Sequence, residues 1–281
     1  VTLGVALVLV TAALYVRPLI FGTGPSVVGA APAVGSDIFT FGNAAPLAGG
    51  KRTNTSGIWP PAPEDAATEP LGTPGPKPSS STDFSFMGTV AGADGRPIAW
   101  DPCRPIHVVI NNAQAPKGAD RLLREAIDSV SSATGLQFVI EGQTTETPDE
   151  RRAPVDEARY GNRWSPVLVA WTDPFAAPRL QGDVAGFAGP IGAPYYTAAQ
   201  QHWVSGMVAL DGPQIRDLMQ GSDGWADARA IVMHEFGHLV GLDHVPAADH
   251  LMHEQNTGQR AFRRGDLEGL RQLGLGPCFT D

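Results

Sequence analysis

Apolar residues run almost without interruption from Val1 to Val16, stop at Arg17 and Pro18, and resume briefly from Leu19 to Phe21. A block of that length falls between the core of a signal peptide and the roughly 20 residues that span a bilayer. The expectation is a single-pass membrane anchor over residues 1–21. The alternative is a cleaved signal peptide ending near Val28-Gly29-Ala30, and either places the protein at the cell surface or outside the cell. Arg17 follows the apolar block, although basic residues normally mark the cytoplasmic flank, so further basic residues are expected upstream of Val1. From residue 22 to residue 83 the pattern dissolves into Pro, Gly, Ala, Ser and Thr, as in Pro60-Pro61-Ala62-Pro63 and Gly72-Thr73-Pro74-Gly75-Pro76. Such a stretch buries too little apolar surface to offset the entropy of ordering it, which predicts a disordered, extended stalk.

Regular patterning returns near Phe84. Two short runs flanking Asp94-Gly95, Ser85 to Val90 and Arg96 to Trp100, read as a hairpin. Strands are predicted at Pro105 to Asn111, Leu136 to Glu141, Val167 to Trp171 and Trp203 to Leu210. Leu122, Leu123, Ile127 and Val130 recur at helical spacing within Ala119 to Thr134, and Gly135 is suited to end that helix. Later helices are predicted over Ala226 to Val240 and Asp266 to Leu273. This order describes one α+β domain over residues 84–281, built on a twisted mixed sheet.

Charge removes one class of function. The formal net charge is −9, and no stretch concentrates Lys and Arg as a phosphate-binding surface requires, so nucleic acid is not an expected partner. No internal repeat is visible, and a monomer is expected.

The densest chemistry lies in His234-Glu235-Phe236-Gly237-His238-Leu239-Val240-Gly241-Leu242-Asp243-His244. On a helix, His238 lies about 40° around from His234 and one turn along, so both imidazoles can meet one ion. Glu235 sits beside them, placed as a base for a water that the ion activates. Val232, Phe236, Leu239 and Val240 are expected to form the opposite, packing face. Gly241 can end the helix in a left-handed conformation and let the chain double back, so that His244 supplies a third imidazole. Three neutral imidazoles leave one zinc position open, the arrangement of a catalytic site. At this chain's own residue frequencies the full pattern has roughly 10⁻⁵ expected chance occurrences. Asp243 is expected to orient a ligand or brace the following turn.

The HExxHxxGxxH pattern, with Leu251-Met252-His253 after it, resembles the metzincin metalloproteases and within them the matrixin-like branch. The resemblance covers about Pro105 to Leu275, including the closing segment from Gly265 to Gly274. It implies a metzincin-type catalytic domain with one catalytic zinc, Met252 beneath the ion, protein or peptide substrates, and a substrate-binding edge strand at Trp203 to Leu210. It also implies a selectivity pocket around Met252 to Thr257. Glu254 stands where astacin-like and serralysin-like relatives carry a zinc-binding tyrosine, which argues against those branches. Additional calcium or structural zinc, common in matrixins, is not assignable from the spacings.

Cys103 abuts the first strand and Cys278 closes the domain, so a disulfide is expected in an exported protein. Free thiols, or a Cys103 that caps the zinc, are the alternatives; Asp101-Pro102-Cys103-Arg104-Pro105 is loosely similar to a matrixin latency segment. His107, His202, His250 and His253 are not expected to be ligands, although His202 and His253 could line the cleft. Together these readings describe an exported, membrane-anchored zinc endopeptidase with Glu235 as general base. The alternative is a surface-displayed binding module that has lost turnover.

Overall fold

The computed structural model describes residues 19–20, 60–79, 81–193, 201–256 and 258–279. Its centre is a five-stranded sheet of Ile106–Asn111 (β3), Phe138–Gln143 (β4), Val167–Thr172 (β5), Gly186–Gly192 (β6) and Trp203–Asp211 (β7), in the order β4-β3-β5-β7-β6. Four strands are parallel and β6 runs antiparallel to β7. Every residue of β5 and β7 is buried, as expected of parallel strands covered on both faces. Short strands flank the sheet: Leu19–Ile20 (β1) pairs with Gln255–Asn256 (β9), and Ser85–Phe86 (β2) pairs with Leu242–Asp243 (β8). The α+β class holds. The membrane-anchor expectation lies outside the described residues except for β1, and no described helix is long and apolar enough to cross a membrane.

One face of the sheet carries the larger core. Ala119–Thr134 (α1) turns Leu122, Leu123, Ala126 and Val130 into it and ends at Gly135, whose φ of 77° closes the helix through an N–H to Ser131 O. Gly224–Val240 (α4) lies between the sheet and α1, and Arg264–Leu273 (α5) packs behind both. The expected division of α4 into a chemical and a packing face does not appear. From Ala228 onward all but Arg229 are buried, because the sheet, α1 and α5 surround the helix. On the other face Val109, Leu168, Phe187 and Met207 form a smaller core closed by Leu180. Glu157–Tyr160 (α2) and Gly212–Leu218 (α3) complete the helices described.

The expected hairpin is present in reduced form, with a Thr89–Pro97 bridge around Asp94 and Gly95, both at positive φ. The expected edge strand is a correction. Trp203–Asp211 is an inner strand paired on both sides, and the edge strand beyond it is Gly186–Gly192. That segment, Gly-Phe-Ala-Gly-Pro-Ile-Gly, has the composition of a loop, but an edge strand tolerates proline because one side of its backbone needs no ladder partner.

Residues 60–79, most of the described part of the segment expected as stalk, run against the domain. Ala67 N–H donates to Cys103 O at 2.7 Å, Leu71 N–H to Pro102 O at 2.9 Å and Gly75 N–H to Ala133 O at 3.1 Å. Their few apolar groups suffice because the domain surface supplies the hydrogen-bond partners. The Cys103–Cys278 disulfide is formed, with the Cα atoms 5.4 Å apart. Beside it Phe279 N–H donates to Asp101 Oδ2 and Arg104 Nη2 donates to Phe279 O, clasping the C-terminal segment to the start of β3.

Candidate metal centre

Helix α4 delivers His234 and His238 one turn apart, and Gly241 ends it at φ 118° with its N–H on Gly237 O and His238 O. The chain then reverses through β8 and returns His244. His234 Nε2 and His238 Nε2 each lie 3.1 Å from His244 Nε2. Three ligands of a tetrahedral zinc, each about 2.0 to 2.1 Å from the ion, stand about 3.3 to 3.4 Å apart; these two distances fit that within a few tenths of an ångström, and the three ligand atoms all lie within 4.8 Å of one another.

The other ring nitrogens fix the tautomers. His234 Nδ1–H donates to Leu251 O at 2.6 Å and His238 Nδ1–H to Leu242 O at 2.8 Å, which leaves each Nε2 as a lone pair facing its neighbours. Burial, followed by the neighbouring imidazoles, holds His234 well below the ordinary histidine range. Burial lowers His238 as well, and burial followed by His238 and His253 brings His244 down to about 2. All three are therefore neutral at physiological pH, the protonation state a metal requires. Asp243 Oδ1 accepts the backbone N–H of His244 at 2.8 Å, so its brace acts on the ligand's main chain.

Glu235 is fully buried, and among the described residues neither carboxylate oxygen has a hydrogen-bond partner. Burial raises its pKa well above the ordinary glutamate value, and the positive charge of Arg179 works against that rise. Gly186 on β6 makes the space: a Cβ there would lie 2.9 Å from Glu235 Cγ. Below the histidines, Met252 is buried and packs so closely on α4 that a Cβ at Gly237 would lie 2.6 Å from its Sδ. Val245 N–H donates to Met252 O, tying the turn to the segment that carries His244. Asp266 of α5 accepts the N–H groups of Leu251 and Arg263, which anchors the same turn from behind.

The structure thus brings together His234, His238, His244, Glu235, Asp243 and Met252. It separates the others. His107 lies between Asp65 and Glu141, at 3.1 and 2.8 Å. His202 stacks on Phe279 with ring centres 3.9 Å apart, and it lines a cavity of about 520 Å³ with Trp100, Trp164 and Trp203 that none of the three histidines lines. His253, in the turn directly after Met252, holds Gln255 O 2.9 Å from its Nδ1. Thr257, in the expected selectivity pocket, lies outside the described residues. Gly186, Gly237, Asp266 and the carbonyls of Leu242 and Leu251 escaped the sequence reading, and the carbonyls could not have been found because every residue has one.

A family model described as Peptidase_M10, matrixin, matches residues 179–273. That span holds β6, β7, α4, the histidines, the Met252 turn and α5, and the match supports a matrixin-like domain, a zinc metallopeptidase activity and peptide or protein substrates. No curated protein matches the chain. Among solved structures, a chain of "GM1 bound form of the ECX AB5 holotoxin" is similar at a TM-score of 0.36 and 12% identity, covering 62% of this chain and 81% of that one.

Proposed function

We propose that the protein is an exported zinc endopeptidase in which His234, His238 and His244 hold the ion and Glu235 is the general base. The observation that carries this reading is the pairing of three converging imidazole lone pairs with a buried carboxylate that has no hydrogen-bond partner among the described residues. A buried, unpaired carboxylate costs several kcal/mol and is not retained for stability, whereas a base waiting for a water has this environment. A zinc ion in the site would polarise the scissile carbonyl and make the attacking water more acidic. Glu235 then takes one proton from that water as its oxygen bonds to the carbonyl carbon, and passes the proton to the amine nitrogen as the C–N bond breaks. Met252 and the carbonyls of Leu242 and Leu251 keep the imidazoles in place throughout, so little reorganisation is needed during the reaction.

The free edge of β6 supports an extended substrate that adds a strand there, since among the described residues β6 pairs only with β7. The disulfide favours export, because such bonds persist in oxidising compartments. Membrane anchoring through residues 1–21 and a monomeric state belong to the same proposal. The test is Glu235→Ala in zinc-loaded protein. Zinc content and fold should be kept while cleavage of a casein-like protein falls by at least about 10²-fold. Unchanged cleavage removes Glu235 from the mechanism, and a zinc-loaded wild type that cleaves nothing overturns the peptidase reading.

A further inference from the structure

Resting on that reading, we propose that Arg179 is a specificity-determining residue that selects peptide substrates carrying a carboxylate close to the scissile bond. Arg179 stands in the 3₁₀ turn Pro178–Leu180, just before the edge strand. Its guanidinium carbon lies 4.4 Å over the ring of Phe187, and Phe187 directly follows Gly186, the residue that touches Glu235. A strand added to β6 turns alternate side chains to opposite sides, so the side chains pointing away from α4 arrive at Phe187 and Arg179. A cavity of about 350 Å³ lies there, its lining including Phe187 and Arg179, with Glu150 and the Asp149–Arg151 ion pair, so Asp149 already has its own cation.

The guanidinium has donors to spare. Arg179 makes no hydrogen bond among the described residues, and its nearest carboxylate, Glu150 Oε1, is 3.8 Å from Nε, beyond hydrogen-bond range. Glu150 is half exposed whereas the Arg179 side chain is only 18% exposed, so this pair is weak and open to exchange. Burial depresses the Arg179 pKa without a strong partner to offset it, and its charge reaches Glu235. A partly buried cation with a free planar fork is complementary to a carboxylate, which it can bind through two parallel hydrogen bonds. The stacked Phe187 holds the fork in place, so little side-chain entropy is lost on binding. The carboxylate can come from an Asp or Glu side chain or from the C-terminus of a short peptide, and the test separates these sources.

The probes are quenched fluorescent peptides matched in pairs. Glu replaces Gln at each of the three positions on either side of the scissile bond, and a free C-terminus replaces an amide. For zinc-loaded wild type, at least one pair should show kcat/KM about 10-fold or more in favour of the acid. The position of that pair identifies the source. In Arg179→Gln the ratio should collapse to about 1, and in Arg179→Glu it should fall below 1, in favour of the neutral member of the same pair. Arg124→Gln, which removes an exposed ion pair with Asp120 on α1, should keep the wild-type ratio. A wild-type ratio near 1 in every pair, or a ratio that survives Arg179→Gln, overturns the proposal. The same pairs titrated calorimetrically into zinc-loaded Glu235→Ala separate this failure from that of the peptidase reading. Acid-selective binding that depends on Arg179 sustains the inference even if nothing is hydrolysed, and binding without acid preference removes it.

Discussion

Gly241→Ala tests the turn on which the site depends. Gly241 has φ 118° and ψ 9°, a region that residues with a Cβ scarcely populate, so alanine there costs about 1 to 3 kcal/mol in backbone strain. The added methyl would also lie 3.0 Å from Trp203 Nε1 and 3.1 Å from Leu273 Cδ2, inside the usual contact distance of about 3.5 to 4.0 Å. Trp203 is 3% exposed and Leu273 fully buried, so neither can retreat freely, and overpacking adds about 1 to 3 kcal/mol. The total is about 2 to 6 kcal/mol. Gly258 supplies the control, since its φ of 117° is nearly the same and a Cβ there meets nothing within 4 Å among the described residues. Gly258→Ala should show the backbone cost alone, and the difference between the two variants should be the packing cost. Denaturant unfolding of the zinc-free proteins measures both. Because Gly241 leads directly into Leu242, whose carbonyl orients His238, and on to His244, release of strain through this turn should weaken zinc binding. About 1.4 kcal/mol taken from the site corresponds to a tenfold loss of affinity, read by competition with a chromophoric chelator. Equal costs for the two variants, together with unchanged zinc affinity in Gly241→Ala, would refute the reasoning.

Three further outcomes are expected. Reducing the Cys103–Cys278 bond, which closes a loop with a sequence separation of 175, should lower the unfolding free energy by about 5 kcal/mol in the chain-entropy account; a denaturation midpoint unmoved by reductant contradicts it. Arg152 has a side chain only 4% exposed, pairs with Glu146 and donates to Ser205 Oγ and Pro166 O, so Arg152→Ala should cost about 3 to 5 kcal/mol in thermal or chemical unfolding. The double variant with Glu146→Leu should cost less than Arg152→Ala alone, since it leaves no buried carboxylate behind; a larger cost speaks against the pair. Glu268 is held down at about 2 by its hydrogen bonds to Arg271 and Gln272. Its folded pKa is thus depressed, so its stabilisation is complete above the ordinary glutamate value of 4.5 and is lost as the pH falls towards about 2. Glu268→Gln should flatten the acid limb of a stability profile over that window, and an unaltered limb counts against the assignment.

Local pattern carried a large part of this protein. The helix over Ala119 to Thr134 is legible because its apolar spacing and terminal glycine are properties of one segment, and its observed bounds coincide with the pattern. The histidines are legible for the same reason: two ligands one turn apart, and a glycine that reverses the chain to a third, form a geometry that short-range stereochemistry alone dictates. Burial in three dimensions decided the rest. Gly186–Gly192 reads as a loop until β7 supplies hydrogen bonds along one side, so which strand forms the edge is a property of the sheet order and has no local signature. The segment 60–79 reads as unstructured until the carbonyls of Pro102, Cys103 and Ala133 receive its N–H groups. Glu235 reads as a base beside two histidines from the motif alone, but its burial, with no hydrogen-bond partner among the described residues, depends on the close approach of β6. The sequence by itself determined which atoms can hold a metal, because those atoms are set by spacing along one chain. The tertiary structure alone decided the environment those atoms work in, because desolvation and electrostatic reach depend on segments that are far apart in sequence and meet only when the domain closes.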